Sequence, residues 1–166
     1  MRPRLLLADD DLSIRQSLRK LLQNEQYDVV LAANGKEAVE VFQHDPAQVD
    51  LVLTDLNMPL RNGWASINRM LEVKPLLPII LLTGMSNQRE WAETSHARAL
   101  VEKPIDVSAL LGLIHELLAE TKRAEADGCP PRRLGFHYVP GDMSLDKSQP
   151  IGPYSAWGLN ELPESH

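Results

Sequence analysis

The sequence predicts an α/β domain built on a doubly wound parallel sheet over residues 1–123, followed by a tail over residues 124–166. Short apolar runs without polar alternation are typical of strands that are covered on both faces. Between these runs, apolar residues recur at helical spacing. Regular alternation of strands and helices indicates βαβ units, whose right-handed crossovers place helices on both faces of a sheet.

The predicted strands are short and mostly aliphatic, and four of the five stop at a polar group. Their length and their lack of alternation favour strands over buried helix segments. The five runs are Leu5–Ala8, Tyr27–Ala32, Leu51–Thr54, Ile79–Leu82 and Ala99–Val101.

Five helices are predicted after these strands, and local signals mark several of their ends. Asp11 and Ser13 are suitable caps for the first helix, which should end near Asn24, and the pair Asp45-Pro46 closes the second. The last helix is expected to fade by Arg123. The apolar faces comprise Ile14, Leu18, Leu21 and Leu22; Ala38, Val39 and Phe42; Trp64, Ile67, Met70 and Leu71; a thin stripe around Trp91 and Ala92; and Val107, Leu110, Leu111, Ile114, Leu117 and Leu118.

Composition limits the classes of function that the chain can serve. A hydrophobic fraction of 43% in 166 residues is typical of a globular protein. The net charge of −6 argues against direct nucleic-acid binding, which needs a basic surface. No stretch reaches the length of about 20 apolar residues that a membrane span requires. The single cysteine, Cys129, cannot form an internal disulfide, so we expect a cytoplasmic protein.

The composition changes after Glu125, where proline and glycine become frequent and no helical or strand period remains. We therefore expect residues 124–166 to be irregular, without a fold of their own. Four aromatic residues could dock this tail on the domain or on a partner, although incidental residues in a flexible segment are the simpler alternative. They are Phe136, Tyr138, Tyr154 and Trp157.

Polar side chains follow four of the predicted strands: Asp9 and Asp10, Asp55, Thr83 and Lys103. Each alone has an ordinary explanation as a turn, cap or solvated residue. Because the carboxyl ends of parallel strands meet at one edge, we expect the five to converge. Three carboxylates in one place favour a hard divalent cation such as Mg²⁺. An aspartate can also act as a nucleophile and become an aspartyl-phosphate, with a metal and a lysine offsetting the charge.

In their order along the chain, these pieces resemble the receiver domains of two-component response regulators over about residues 3–121. The resemblance rests on Leu-Leu-Leu-Ala-Asp-Asp-Asp at residues 5–11, Leu-Thr-Asp-Leu-Asn-Met-Pro at residues 53–59, Leu-Thr-Gly at residues 82–84, and Lys103-Pro104. It implies a flavodoxin-like sheet of five strands in the order 2-1-3-4-5, with five helices.

The resemblance also implies a role for each site residue. Asp55 would be the phosphoacceptor, and Asp10 a direct Mg²⁺ ligand. Asp9 would be a metal ligand through water or a supporting acid, and Asn57 would offer its backbone carbonyl to the metal. Lys103 would pair with the phosphate.

Further expectations concern the switch. Thr83 would rotate towards the phosphoryl oxygens, and the resemblance implies a cis peptide bond between Lys103 and Pro104, as in many members of the family. Leu100 occupies the position at which the family usually carries a switch aromatic. Asp11 lies outside the matched acid pair, so we expect it to cap the first helix.

The partner implied by the resemblance is a sensor histidine kinase or a histidine phosphotransfer protein. No DNA-binding output domain follows, so we expect a stand-alone receiver that signals through protein contacts and is not itself an enzyme. Leu100 and a short segment before Lys103 leave open a binding module that does not switch. A small Mg²⁺-dependent phosphatase of the haloacid-dehalogenase kind is a further alternative. Asp9-x-Asp11 imitates its first motif, but the motif around Asp55 would then have no explanation.

Overall fold

A parallel sheet forms the centre of the computed structural model, which describes residues 1–56, 63–85, 88–128 and 135–141. Its strands are β1 (Arg4–Ala8), β2 (Asp28–Ala32), β3 (Leu51–Asp55), β4 (Ile79–Thr83), β5 (Ala99–Glu102) and β6 (His137–Val139). Their order across the sheet is β2-β1-β3-β4-β5-β6, and every neighbouring pair is parallel.

The helices begin at residues that satisfy their free backbone N–H groups. The Asp11 carboxylate accepts hydrogen bonds from the N–H groups of Ser13 and Ile14, which confirms its capping role. Asn34 caps the second helix through the N–H of Glu37. The helices are α1 (Leu12–Asn24), α2 (Gly35–His44), α3 (Gly63–Val73), α4 (Arg89–Thr94) and α5 (Val107–Asp127), with a 3₁₀ turn at Pro46–Gln48. Among the described helices, none is long and apolar enough to cross a bilayer.

Two hydrophobic layers cover the two faces of the sheet. Alternate residues of β1 point to opposite layers: Leu5 and Leu7 pack with the residues of α1 and α5, whereas Leu6 packs with those of α2 and α3. β3 and β4 are buried along their whole length. Burial on both faces explains why the strands of this sheet read as continuous apolar runs.

The predicted five-strand order and the five helices are confirmed, but the sheet is larger than expected. β6 extends it beyond β5 and comes from the tail for which no strand was predicted, so the expectation of an irregular tail is wrong for residues 137–139. α5 also continues past Arg123 to Asp127. A three-residue strand is too short to show a period in the sequence. Of the four tail aromatics, Tyr154 and Trp157 lie outside the described residues.

Candidate functional site

Three carboxylates meet at the carboxyl edge of the sheet. Asp9 directly follows β1, Asp10 follows it, and Asp55 is the last residue of β3. One carboxylate oxygen from each of the three lies within 4.8 Å of the others. Asp9 is completely buried and Asp55 is 5% exposed, whereas Asp10 is open to solvent. The cluster therefore combines two buried acids with one that solvent can reach.

Backbone hydrogen bonds fix the two buried acids beyond the regular ladder of the sheet. The Asp9 N–H donates to the Ala32 carbonyl at 3.2 Å, and the Asp11 N–H donates to Asp9 Oδ1 at 2.8 Å. The Leu56 N–H donates to the Leu82 carbonyl at 2.8 Å, which continues the pairing of β3 and β4 past Asp55. The main chain thus holds both residues at the ends of their strands, and it also binds one carboxylate oxygen of Asp9.

Lys103 links the two buried acids. It follows β5, and its Nζ lies 3.2 Å from Asp9 Oδ2 and 2.9 Å from Asp55 Oδ2. Its backbone N–H donates to the Thr83 carbonyl at 2.6 Å, and its peptide bond to Pro104 is cis. The lysine side chain is 20% exposed, so its ammonium group acts in a partly desolvated place where charge interactions are strong.

Burial and neighbouring charges shift the pKa values of Asp9 and Lys103. Burial raises the pKa of Asp9 above its ordinary range, and the charge of Asp55 adds to this, against the hydrogen bond from Asp11 and the charge of Lys103. Burial alone would lower the pKa of Lys103, but the hydrogen bonds and charges of Asp55 and Asp9 outweigh it and raise that pKa. The lysine is therefore charged at neutral pH. Further positive charge near Asp9 would stabilise its ionised carboxylate.

Thr83, at the end of β4, has its hydroxyl group in the turn that follows. The Met85 N–H donates to Thr83 Oγ1 at 3.0 Å, and the hydroxyl is 3.4 Å from the Met85 carbonyl oxygen. Leu100 is completely buried in the core layer that contains the α2 and α3 residues. Asn57, named from the sequence as a metal ligand, lies outside the described residues.

Tyr138, one of the aromatic residues named as able to dock the tail on the domain, does pack against it, but sequence reasoning missed the partners that the tail contacts beside this site. The carboxylate of Glu102, one residue before Lys103, accepts a hydrogen bond from the Tyr138 hydroxyl at 2.8 Å. A second acid–histidine group, Glu116, Glu120 and His137, joins α5 to β6. Glu120 of that group already forms a 2.6 Å ion pair with Arg98. No local pattern in the sequence marks any of these partners.

A parallel sheet whose carboxyl edge carries three carboxylates and a lysine defines an α/β protein with a charged site at the ends of β1, β3 and β5. The chain matches the family model of the response regulator receiver domain over residues 5–115, and it belongs to that family of two-component signalling domains.

Similar proteins include transcriptional regulatory proteins, a response regulator and a sensor kinase/phosphatase. Over 151 residues, the chain is 32% identical to the transcriptional regulatory protein AruR of Pseudomonas aeruginosa, covering 88% of this chain and 61% of that protein. It is 31% identical over 148 residues to the response regulator MprA of Mycobacterium ulcerans, with the same shares covered. The chain therefore spans about three fifths of the length of these two relatives.

Solved structures of receiver proteins have the same fold. A CheY-like receiver domain protein of Methanospirillum hungatei superposes with a TM-score of 0.69 at 26% identity, covering 74% of this chain and 98% of that one. The response regulator protein TrrA of Thermotoga maritima, solved in complex with Mg²⁺-BeF, gives a TM-score of 0.63 at 32% identity, covering 69% and 98%.

Proposed function

We propose that the chain is a phosphoacceptor response regulator in which Asp55 receives a phosphoryl group from a sensor histidine kinase or a histidine phosphotransfer protein. The observation that carries this proposal is the Asp55 carboxylate at the sheet edge, 2.9 Å from the Lys103 ammonium and clustered with two further carboxylates. The phosphorylated chain would signal through contacts with a downstream protein.

The chemistry assigned to Asp55 is nucleophilic. One of its carboxylate oxygens attacks phosphorus, and the bond from phosphorus to the donor nitrogen breaks as its electron pair returns to the imidazole of the donor histidine. With the other ring nitrogen of the donor histidine protonated, the products are an aspartyl-phosphate and a neutral imidazole. Lys103 already lies beside the acceptor carboxylate, so its positive charge can stabilise the negative charge of the transferred phosphoryl group.

Asp9, Asp10 and Asp55 form a donor set that fits Mg²⁺, because hard oxygen ligands converge from two strands. The backbone carbonyl of Asn57 is proposed as a further ligand on the resemblance alone. When bound, the ion supplies positive charge at the oxygens of the phosphoryl group. The Mg²⁺-BeF complex of the similar protein TrrA supports this choice of metal.

Thr83 is the proposed switch residue. Its hydroxyl is engaged with the backbone of Met85 in the turn after β4. A phosphoryl group on Asp55 offers that hydroxyl stronger, charged acceptors, so we propose that it turns towards them and releases the turn. Such differential contacts with the two states are what a population shift requires.

The experiment is intact mass spectrometry after incubation with a small-molecule phosphodonor, with and without Mg²⁺. We expect one phosphoryl group on the wild-type chain, none on Asp55→Asn and none without Mg²⁺. Asp127→Asn, at the exposed end of α5, is the matched control and should be labelled like the wild type. Labelling of a folded Asp55→Asn chain at the wild-type level would refute the assignment.

A second candidate function is a binding module that keeps the site but does not switch, and the burial of an aliphatic Leu100 favours it. It predicts that phosphorylation changes neither partner affinity nor oligomeric state. A phosphatase of the haloacid-dehalogenase kind would instead show steady multiple turnover of a phosphate ester. For both the phosphorylated switch and the non-switching binding module, we propose that residues 1–123 form the receiver domain and that residues 124–166 form a C-terminal tail.

A further inference from the structure

We propose that residues 135–141, here called the strap, regulate the phosphorylation site by docking on β5 beside it. Phosphorylation of Asp55 releases the strap, and the docked strap in turn holds back phosphorylation. This inference rests on the proposed function of Asp55, but its physical basis is a set of contacts that involve Glu102 and Lys103 directly.

The strap is attached along the outer edge of β5. Ala99, Leu100 and Val101 pair in register with His137, Tyr138 and Val139. The His137 N–H donates to the Arg98 carbonyl at 3.0 Å, and Val139 is buried in the same core layer as α5. Since only three residues of the strap form the strand, its attachment is short and depends on side-chain contacts as well.

Glu102 accepts two hydrogen bonds from the strap. One of its carboxylate oxygens accepts from the Tyr138 hydroxyl at 2.8 Å, and the other accepts from the Gly141 N–H at 3.4 Å. The guanidinium group of Arg89 lies 5.3 Å from the centre of the Tyr138 ring, within the range of a cation–π interaction. In register, Glu102 is also the partner of Thr83, the proposed switch residue.

Gly141 packs against the backbone of Lys103 without any spare room. A Cβ atom at residue 141 would lie 2.5 Å from the Lys103 carbonyl oxygen and 2.7 Å from its carbonyl carbon. Only glycine allows so close an approach. A shift of the Lys103 carbonyl towards Gly141 therefore displaces the strap.

Lys103 joins the two regions because its two ends make different contacts. Its ammonium group lies on Asp9 and Asp55, and its carbonyl lies under Gly141. A phosphoryl group adds volume and negative charge at Asp55, so the ammonium must move to new oxygen partners. The strap packs against Lys103 in the position that its ion pairs with Asp9 and Asp55 set. Movement of Lys103 away from that position therefore weakens strap docking. By thermodynamic reciprocity, the docked strap must then disfavour phosphorylation to the same degree.

Hydrogen exchange of the full chain tests the coupling. With Asp55 phosphorylated by a small-molecule donor and Mg²⁺, we expect the amides of residues 137–139 and 141 to exchange about fivefold faster or more, and those of β1 to be unchanged. Unchanged exchange in the strap of a chain shown by mass to be phosphorylated would overturn the inference and leave the proposed function intact.

Two glycine variants test the reverse direction. Gly141→Val should displace the strap and raise the ratio of phosphorylated to unphosphorylated chain about fivefold at equilibrium with the phosphodonor. Gly135→Ala is the matched control, because a Cβ at that strap residue meets nothing within 4 Å. Equal phosphorylation of the two variants would contradict the inference.

Failure of the proposed function gives a separate result. If no phosphoryl group is added to the wild type, the function assigned to Asp55 fails. Hydrogen exchange of Asp55→Asn then tests the coupling between the ion pairs of Lys103 and strap docking. That variant weakens one of the two ion pairs of Lys103 without any phosphoryl chemistry. Faster strap exchange in Asp55→Asn would still support the coupling, and exchange equal to that of the wild type would overturn it.

Discussion

Asp9 is a completely buried acid whose carboxylate must be charged to help bind a cation. Its pKa is raised above the ordinary value of 3.8, chiefly by burial. The folded chain therefore takes up a proton at Asp9 more readily than the unfolded chain does. The cost to stability is absent below pH 3.8 and develops as the pH rises through the raised pKa of the folded state.

We predict that Asp9→Asn stabilises the fold at neutral pH while it weakens Mg²⁺ binding. The asparagine oxygen can keep the hydrogen bond from Asp11, and the buried charge is gone. Thermal unfolding without metal should show a melting temperature a few degrees above that of the wild type, and the difference should shrink as the pH falls towards 3.8.

The control for this prediction is Asp10→Asn, which removes an exposed acid of the same cluster. It should weaken Mg²⁺ binding without raising the melting temperature, because solvent already stabilises its charge. A lower melting temperature for Asp9→Asn than for the wild type at neutral pH would show that the Asp9 charge stabilises the fold through Lys103.

For single residues, the sequence predicted that Asp9, Asp55 and Lys103 lie close together, because the carboxyl ends of parallel strands share one edge of the sheet. It could not identify the engagement of Thr83 with Met85, which depends on a side-chain rotamer. The bond between Glu102 and Tyr138 joins residues 36 positions apart, and nothing in the local pattern of either residue indicates the other.

Among the elements, α1 begins directly after the acid pair, and its cap lies next to the site. We predict that Asp11→Ala destabilises the chain by about 1 kcal/mol, because the N–H groups of Ser13 and Ile14 lose their acceptor. Chemical denaturation measures this change. Asp11→Asn should keep most of the stability, since asparagine caps helices about as well as aspartate. An equal loss in both variants would argue against capping as the role of Asp11.

β6 is the strand that could not be predicted from the sequence. β1 to β5 were predictable because apolar runs and helical stripes alternate. β6 has three residues, one of them histidine, within a segment rich in proline and glycine. It is a strand because β5 offers an unpaired edge and α5 returns the chain to it, which are properties of the tertiary structure.

For the whole molecule, the alternating pattern determines a sheet with a core layer on each face and a polar carboxyl edge. The apolar alternation of β1 between the two layers follows from the pleat of a strand covered on both sides. The extension of the sheet by part of the tail changes this picture, because the strap covers the outer edge of β5.

The central claim for the whole molecule is that the carboxyl edge of the sheet makes Asp55 a phosphoacceptor. Mapping the modified residue tests this claim most directly. Borohydride reduces an aspartyl-phosphate to homoserine, which peptide sequencing by mass spectrometry can locate. After treatment with a phosphodonor and Mg²⁺, we predict homoserine at residue 55 and at no other aspartate of the chain. Homoserine at Asp9 or Asp10, or a stable phosphate on another residue type, would contradict the account.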